Sequence, residues 1–252
     1  MYEFTAPNSP AYPQYRGVTI TSETLQQGLL VLTQRDHILA QVYAHVQTPP
    51  LWLRPAGLPT LVQIILEQQV SLKSAQATFE RLNTICDPLS PSKLLALTPD
   101  QWRLCGVSRQ KSNYLRHLAT AIVAKKLDLE VLAHADDATV HQQLTQIPGI
   151  GSWTANIYLL MALGRPDVWP TGDLALITSL KKLYHLPDKV TAKNLHPITE
   201  LWRPWRAVAA RLLWQYYLKF LGASTCRNRQ ISNPNITVNS KTAAAAAYPK
   251  SN

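Results

Sequence analysis

Among the residues able to do chemistry is Asp173, a carboxylate that follows a glycine-rich hairpin along the chain. The stretch 144–173 reads LTQIPGIGSWTANIYLLMALGRPDVWPTGD. A carboxylate fixed beside a reacting carbon stabilises developing positive charge, and it can orient or deprotonate an attacking water. Asp173 also starts a helix in Thr171-Gly172-Asp173-Leu174, where aspartate is an ordinary N-cap. The two roles are compatible, because a helix N-terminus favours negative charge. Asp167, in the loop before it, is the rival carboxylate and the first to test as a second acid. Asp136 and Asp137 open another helix and read as caps rather than as a catalytic pair. The histidines show no metal-ligand spacing and take no role.

The hairpin offers a second chemistry, anion binding. In Ile147-Pro148-Gly149-Ile150-Gly151 the glycines permit backbone conformations and close approaches that a side chain blocks. Pro148 stops the preceding helix, and Ile150 plugs the turn onto the core. Backbone N–H groups at the mouth of the helix starting near Ser152 would then attract phosphate. Taken alone, Pro-Gly-Ile-Gly also reads as a plain turn between two helices with a glycine cap.

Helices must position both features. Apolar spacing and capping residues predict helices over 23–32, 36–46, 61–69, 73–82, 93–97 and from 99 to a stop at Gly106. Further helices are expected over 108–126, 136–146, 152–163, 173–183, 192–202 and 204–220. In 108–126 the buried stripe is Tyr114, Leu115, Leu118, Ile122 and Val123, with Lys111 a surface or scaffold residue. In 204–220 it is Trp205, Val208, Leu212 and Leu213. No repeat and no strand-rich segment occurs. The expected fold is all-α: two packed helical subdomains with an active-site cleft between them. Residues 1–20 read as an irregular lead-in and 21–222 as the helical domain, with the hairpin at 144–153. Residues 223–252 read as a disordered basic tail.

Composition bounds the partner. With 46% hydrophobic and 16% charged residues the chain is globular, and a net charge of +10 with a pI near 9.6 points to a polyanion, nucleic acid first. Arg103, Arg109, Lys111, Arg116, Lys125 and Lys126 lie in one acid-free stretch, and no acid follows Glu200. Three scattered cysteines, Cys86, Cys105 and Cys226, argue against a disulfide framework and for a reducing compartment. No apolar run approaches the length of a membrane span.

Several of these motifs together resemble the helix-hairpin-helix DNA glycosylases, and within them the DNA-3-methyladenine glycosylase II branch. The carriers are Ile147-Pro148-Gly149-Ile150-Gly151 with Trp153-Thr154-Ala155-Asn156, and Asp173 at the superfamily's defining aspartate. Leu66-Glu67-Gln68-Gln69-Val70-Ser71, the Gly106/Ser108/Lys111/Tyr114-Leu115 pattern, and Trp202-Arg203-Pro204-Trp205-Arg206 are similar as well. With few residues ahead of the shared core, the chain resembles the compact form that lacks an N-terminal sheet domain.

The resemblance implies base excision from double-stranded DNA containing damaged bases. The enzyme flips out an alkylated purine such as 3-methyladenine or 7-methylguanine, at a cost of about a few kcal/mol, and hydrolyses its glycosidic bond with Asp173 as the catalytic carboxylate. Lyase-type relatives carry a lysine two residues past the second glycine. Here that residue is Trp153, and indole cannot form a Schiff base, so a monofunctional enzyme is implied. Trp153 and Trp214 fall on base-stacking positions, and Ile157 replaces a pocket tyrosine. Gln69, with Gln68 beside it, falls where a side chain fills the gap left by the flipped nucleotide. On local sequence alone both glutamines read equally well as helix-end polar residues, and both tryptophans as core. Gly149 and Gly151 would grip phosphate, with the carbonyls of Thr145, Ile147 and Gly149 holding a sodium or potassium ion. No other cofactor is implied, and no iron–sulfur cluster, since the four-cysteine spacing is missing. A monomer is expected, in the cytoplasm of a bacterium or the nucleus of a eukaryote. The alternatives are a glycosylase of the same fold for uracil or a deaminated base, and a non-catalytic helix-hairpin-helix DNA-binding module.

Overall fold

Small polar side chains set where most helices begin. In the computed structural model, which describes residues 19–222, α1 (Ser22–Arg35) starts at a Thr21 capping box and α2 (His37–Val46) at Asp36. Each such cap satisfies N–H groups that the first helical turn leaves without partners. The other helices are α3 (Leu58–Glu67), α4 (Leu72–Ile85), α5 (Pro91–Ala96), α6 (Pro99–Leu104), α7 (Arg109–Val123), α8 (Leu129–His134), α9 (Asp137–Thr145), α10 (Ser152–Met161), α11 (Leu174–Leu183), α12 (His196–Glu200) and α13 (Arg206–Tyr216). A 3₁₀ turn, Ala192–Leu195, precedes α12, and a π turn, Tyr217–Leu221, follows α13. Among the described residues there is no strand, so the chain is all-α. The expected tail 223–252 and nearly all of the lead-in 1–20 lie outside the described residues. At its last position Ile20 is already buried.

The chain divides into two units: Leu53–Gly164, and the residues up to Trp52 together with those from Arg165 onward. The first is built on α3. Leu61, Val62, Ile64 and Ile65 are fully buried, and the helix packs against α4, α7 and α10. The second is built on α13, in which residues 207–214 are all buried. Helices α1, α2 and α11 surround it. A helix apolar all round belongs in a core, and α13 accepts a close neighbour because Gly28 of α1 lacks a side chain. A Cβ at Gly28 would meet Trp205 and Val208 at 2.9 Å.

Several boundaries differ from the sequence expectation. Helix α3 begins at Leu58 and stops at Glu67, so Gln68 and Gln69 lie in the turn. Val123, expected in the buried stripe of α7, is 53% exposed, because that helix ends there and the chain turns through Lys125 at φ +54°. The single helix expected over 192–202 is a 3₁₀ turn followed by α12. Proline at 204 does not start a helix; α13 begins after Trp205. Helix α8, capped by Asp128, was absent from the expectation because six residues are too few to show a period.

Candidate functional site

Asp173 caps α11, its side-chain oxygen accepting the Leu176 N–H at 3.0 Å. The same oxygen accepts the Trp214 indole N–H at 3.2 Å, from α13. Two donors from different helices therefore hold this carboxylate in one orientation. Pre-set geometry of this kind is what electrostatic stabilisation of a cationic transition state needs. Gly172 supplies the turn into the helix at φ +88°, with nothing within 4 Å of where a Cβ would stand.

Trp214, expected as a stacking wall, is 9% exposed, and its indole N–H is spent on Asp173. Edge-to-face against it stands Trp52, with ring centroids 6.2 Å apart and planes at 74°. Trp52 escaped the sequence reading. Its only local signal is a large ring directly after Pro49-Pro50-Leu51. It is half-buried and has φ +48°, a left-handed conformation that costs a residue with a side chain roughly 1–3 kcal/mol and clusters at functional sites. The neighbouring Leu51 carbonyl accepts from Arg211 Nε at 2.8 Å. The Arg211 guanidinium is fully buried in α13, and burial pushes its pKa down to about 10.

Asp167, the rival carboxylate, is committed elsewhere. It accepts from Arg203 at 2.6 Å and from Arg206 at 2.9 Å, and Glu200 bridges the same two arginines at 2.7 and 2.8 Å. Burial works to raise the Glu200 pKa, but the Arg203 hydrogen bond and the charges of Arg206 and Arg203 outweigh it and hold it below the ordinary value. The Trp202-Arg203-Pro204-Trp205-Arg206 segment is thus the cationic half of an ion-pair network that braces the start of α13.

In the other unit the hairpin has the expected local chemistry. Helix α9 ends at Thr145, and Ile147 and Ile150 close the turn through backbone bonds to Leu144 and Ile147 carbonyls. Ile150 is buried. The two glycines do different jobs. Gly149 sits at φ +93° under the Tyr114 ring, where a Cβ would lie 2.0 Å from Tyr114 Cγ. Gly151 has an ordinary extended backbone, and a Cβ there would meet nothing within 4 Å. The fold itself requires only Gly149. Helix α10 follows Gly151 with no side-chain cap, and the N-terminus of a helix favours an anion.

Gln69 is exposed at φ +56° in the turn after α3, and exposed Val70 and Leu72 follow it. Gln68, expected beside Gln69 at the substrate, makes its contacts here within the fold. Its amide nitrogen donates to the Gly149 carbonyl and to Thr154 Oγ1, both at 2.9 Å, and so ties the Gln69 turn to the hairpin. Lys111 braces the same turn from α7, donating to the Leu66 carbonyl at 2.7 Å. Burial lowers its pKa, which fits the scaffold expectation. Of the carbonyls expected to face a monovalent cation, Gly149 accepts Gln68 and Ile147 accepts Ile150. A carbonyl oxygen has two lone pairs, so neither bond by itself would keep these carbonyls, with that of Thr145, from serving such an ion. Trp153 is half-buried in the first turn of α10, and Ile157 is buried within that helix.

An all-α chain with an uncapped helix-hairpin-helix turn, and further along an aspartate-capped helix, defines a class, the helix-hairpin-helix proteins of the Gly/Pro-Asp type. The chain belongs to the HhH-GPD superfamily of base excision DNA repair proteins, whose family model matches residues 62–205. It is 30% identical over 162 residues to DNA-3-methyladenine glycosylase 1 of Schizosaccharomyces pombe, covering 62% of this chain and 70% of that one. It is 28% identical over 163 residues to DNA-3-methyladenine glycosylase 2 of Escherichia coli, covering 63% of this chain and 54%, about half, of that protein. The solved structure of an S. pombe 3-methyladenine DNA glycosylase in complex with abasic DNA superimposes with a TM-score of 0.70 at 25% identity, covering 76% of this chain and 97% of that one.

Proposed function

We infer that this chain is a monofunctional DNA glycosylase that removes alkylated purines, 3-methyladenine and 7-methylguanine among them, and leaves an abasic site. The observation that carries the reading is the Asp173 carboxylate, held by the Leu176 and Trp214 N–H groups beside an aromatic pair. A 3- or 7-alkylated purine is already cationic, so it departs without a strong acid. What its departure needs is a fixed negative charge for the oxocarbenium-like sugar and a water oriented for attack. The bond between the sugar carbon and the purine nitrogen breaks, and its electron pair neutralises the base. Water then adds to the sugar carbon and gives up a proton.

The names of the relatives support the substrate class. The open N-terminus of α10 and the exposed Gln69 turn support binding of duplex DNA, with phosphate at the hairpin and Gln69 filling the gap of the flipped nucleotide. Trp153 in place of a lysine supports hydrolysis without strand cleavage. The enzyme acts as a monomer where the genome lies, the bacterial cytoplasm or the eukaryotic nucleus.

The test is base release from methylated duplex DNA by the wild type and by Asp173→Asn. Release of both bases by the wild type alone, with intact abasic strands, is the expected result. Strand scission without added base would overturn the monofunctional assignment. Binding without release would leave a DNA-binding module or an enzyme for another lesion.

A further inference from the structure

We propose that Gln68 is a positioning residue: it acts through Gln69, joining the turn that fills the nucleotide gap to the hairpin that grips phosphate. The inference rests on the glycosylase reading above and deepens it. Three consecutive residues lead from α3 to Gln69, and each is held by a different element. The Leu66 carbonyl accepts from Lys111 Nζ of α7 at 2.7 Å. The Glu67 carboxylate pairs with Arg54 at 2.8 Å. The Gln68 amide nitrogen donates to the Gly149 carbonyl and to Thr154 Oγ1, both at 2.9 Å. Gln69 follows them, exposed and at φ +56°. A residue with a side chain keeps a left-handed backbone only where its surroundings over-determine it, and these anchors supply that constraint.

Of the three, Gln68 is the one that reaches the hairpin. Its amide nitrogen carries two protons, and both are engaged, one by the left-handed Gly149 and one by the first turn of α10. A carbonyl cannot donate, so the amide has one orientation, with its nitrogen toward Gly149. The link crosses 81 residues of sequence, yet it is a single side chain long. DNA gripped at the hairpin therefore meets a Gln69 turn that is already ordered beside it. The cost of ordering that turn falls on folding rather than on binding, and preorganisation of this kind raises affinity without a new contact to the ligand. Its signature is selective. It acts where there is a gap for Gln69 to fill, and it vanishes when position 69 has no side chain to place.

The experiment is a double-mutant cycle of Gln68→Met and Gln69→Ala, read as duplex affinity by fluorescence anisotropy. Methionine keeps the length of glutamine and loses both donors. Two duplexes of one sequence are compared, one carrying a tetrahydrofuran abasic analogue and one undamaged. Gln68→Met should weaken binding of the abasic duplex by about tenfold and change binding of the undamaged one by less than about twofold. In the Gln69→Ala background it should add less than about twofold on either duplex. Equal losses on both duplexes, or losses that simply add in the double variant, overturn the proposal and leave Gln68 a brace of the fold. If Gln68→Met fails to fold, Thr154→Val enters the same cycle, since it removes one acceptor and leaves Gln68 in place. Its expected loss is about threefold, confined to the abasic duplex and to the Gln69 background. A wild type that releases no base and does not favour the abasic duplex would instead overturn the functional reading, and this inference with it.

Discussion

Helices α10 and α11 have the same length, 10 residues, yet their N-termini are finished in opposite ways. Helix α10 starts at a glycine with no side-chain cap and open space around it. Helix α11 starts at a carboxylate that closes its first turn and accepts an indole N–H besides. Both ends present the same positive dipole. The first leaves it for an anion from outside, and the second fills it with a resident anion that can face a cation. On the proposed function, one backbone device would serve as a phosphate grip at the first and as a cation-stabilising group at the second.

The sharpest way to break this contrast is to remove the resident charge while keeping the cap. Asparagine caps as well as aspartate, so Asp173→Asn should keep its melting temperature while single-turnover base release falls by roughly 10²–10³-fold. A variant that loses stability in step with activity would make Asp173 a cap and nothing more. Next comes Gly149→Ala, which must enter a left-handed conformation against Tyr114. It should cost about 2 kcal/mol or more of stability in denaturant unfolding. Gly151→Ala separates fold from ligand. With an extended backbone and no neighbour to meet, it should leave stability within about 0.5 kcal/mol yet weaken duplex binding in fluorescence anisotropy. Unchanged affinity would mean that no backbone or phosphate approaches that position.

Gln68→Ala removes two hydrogen bonds that tie the Gln69 turn to the hairpin. Its expected cost is about 1–2 kcal/mol in unfolding, with slower hydrogen exchange lost at the turn. The smallest effect belongs to the ion-pair network. Because the Glu200 pKa is held below its ordinary value of 4.5, its contribution to stability is present above that pH and fades as the pH falls through the lowered value. Melting curves of wild type and Glu200→Gln should therefore differ at pH 7 and converge as the pH drops below about 4.5. A gap that does not narrow at all as the pH falls would assign the effect to packing.

Legibility in the sequence followed the range of the interaction. Asp136 was readable as a helix start because a cap bonds a backbone only two or three residues ahead. The left-handed Gly149 and the buried Ile150 were readable for the same reason. Partner identities were not. Asp167 looked like a free rival to Asp173 until the fold placed Arg203 and Arg206 on it from far along the chain. Gln68 looked like a companion of Gln69 until the fold brought the Gly149 carbonyl to its amide.

By itself the sequence determined the all-α class, the position of the hairpin, the superfamily's aspartate and the basic character of the chain. The class, the hairpin and the charge rest on periodicity, local capping, glycine backbone freedom and net charge, and the aspartate rests on the motif resemblance. Only the tertiary structure decided which donors hold Asp173, that Trp214 is one of them, and that Trp52 stands beside it. It also decided that of the two hairpin glycines only Gly149 is required by the fold. Those outcomes depend on which side chains meet across long stretches of chain, and such contacts are settled by packing, where shape and burial act together.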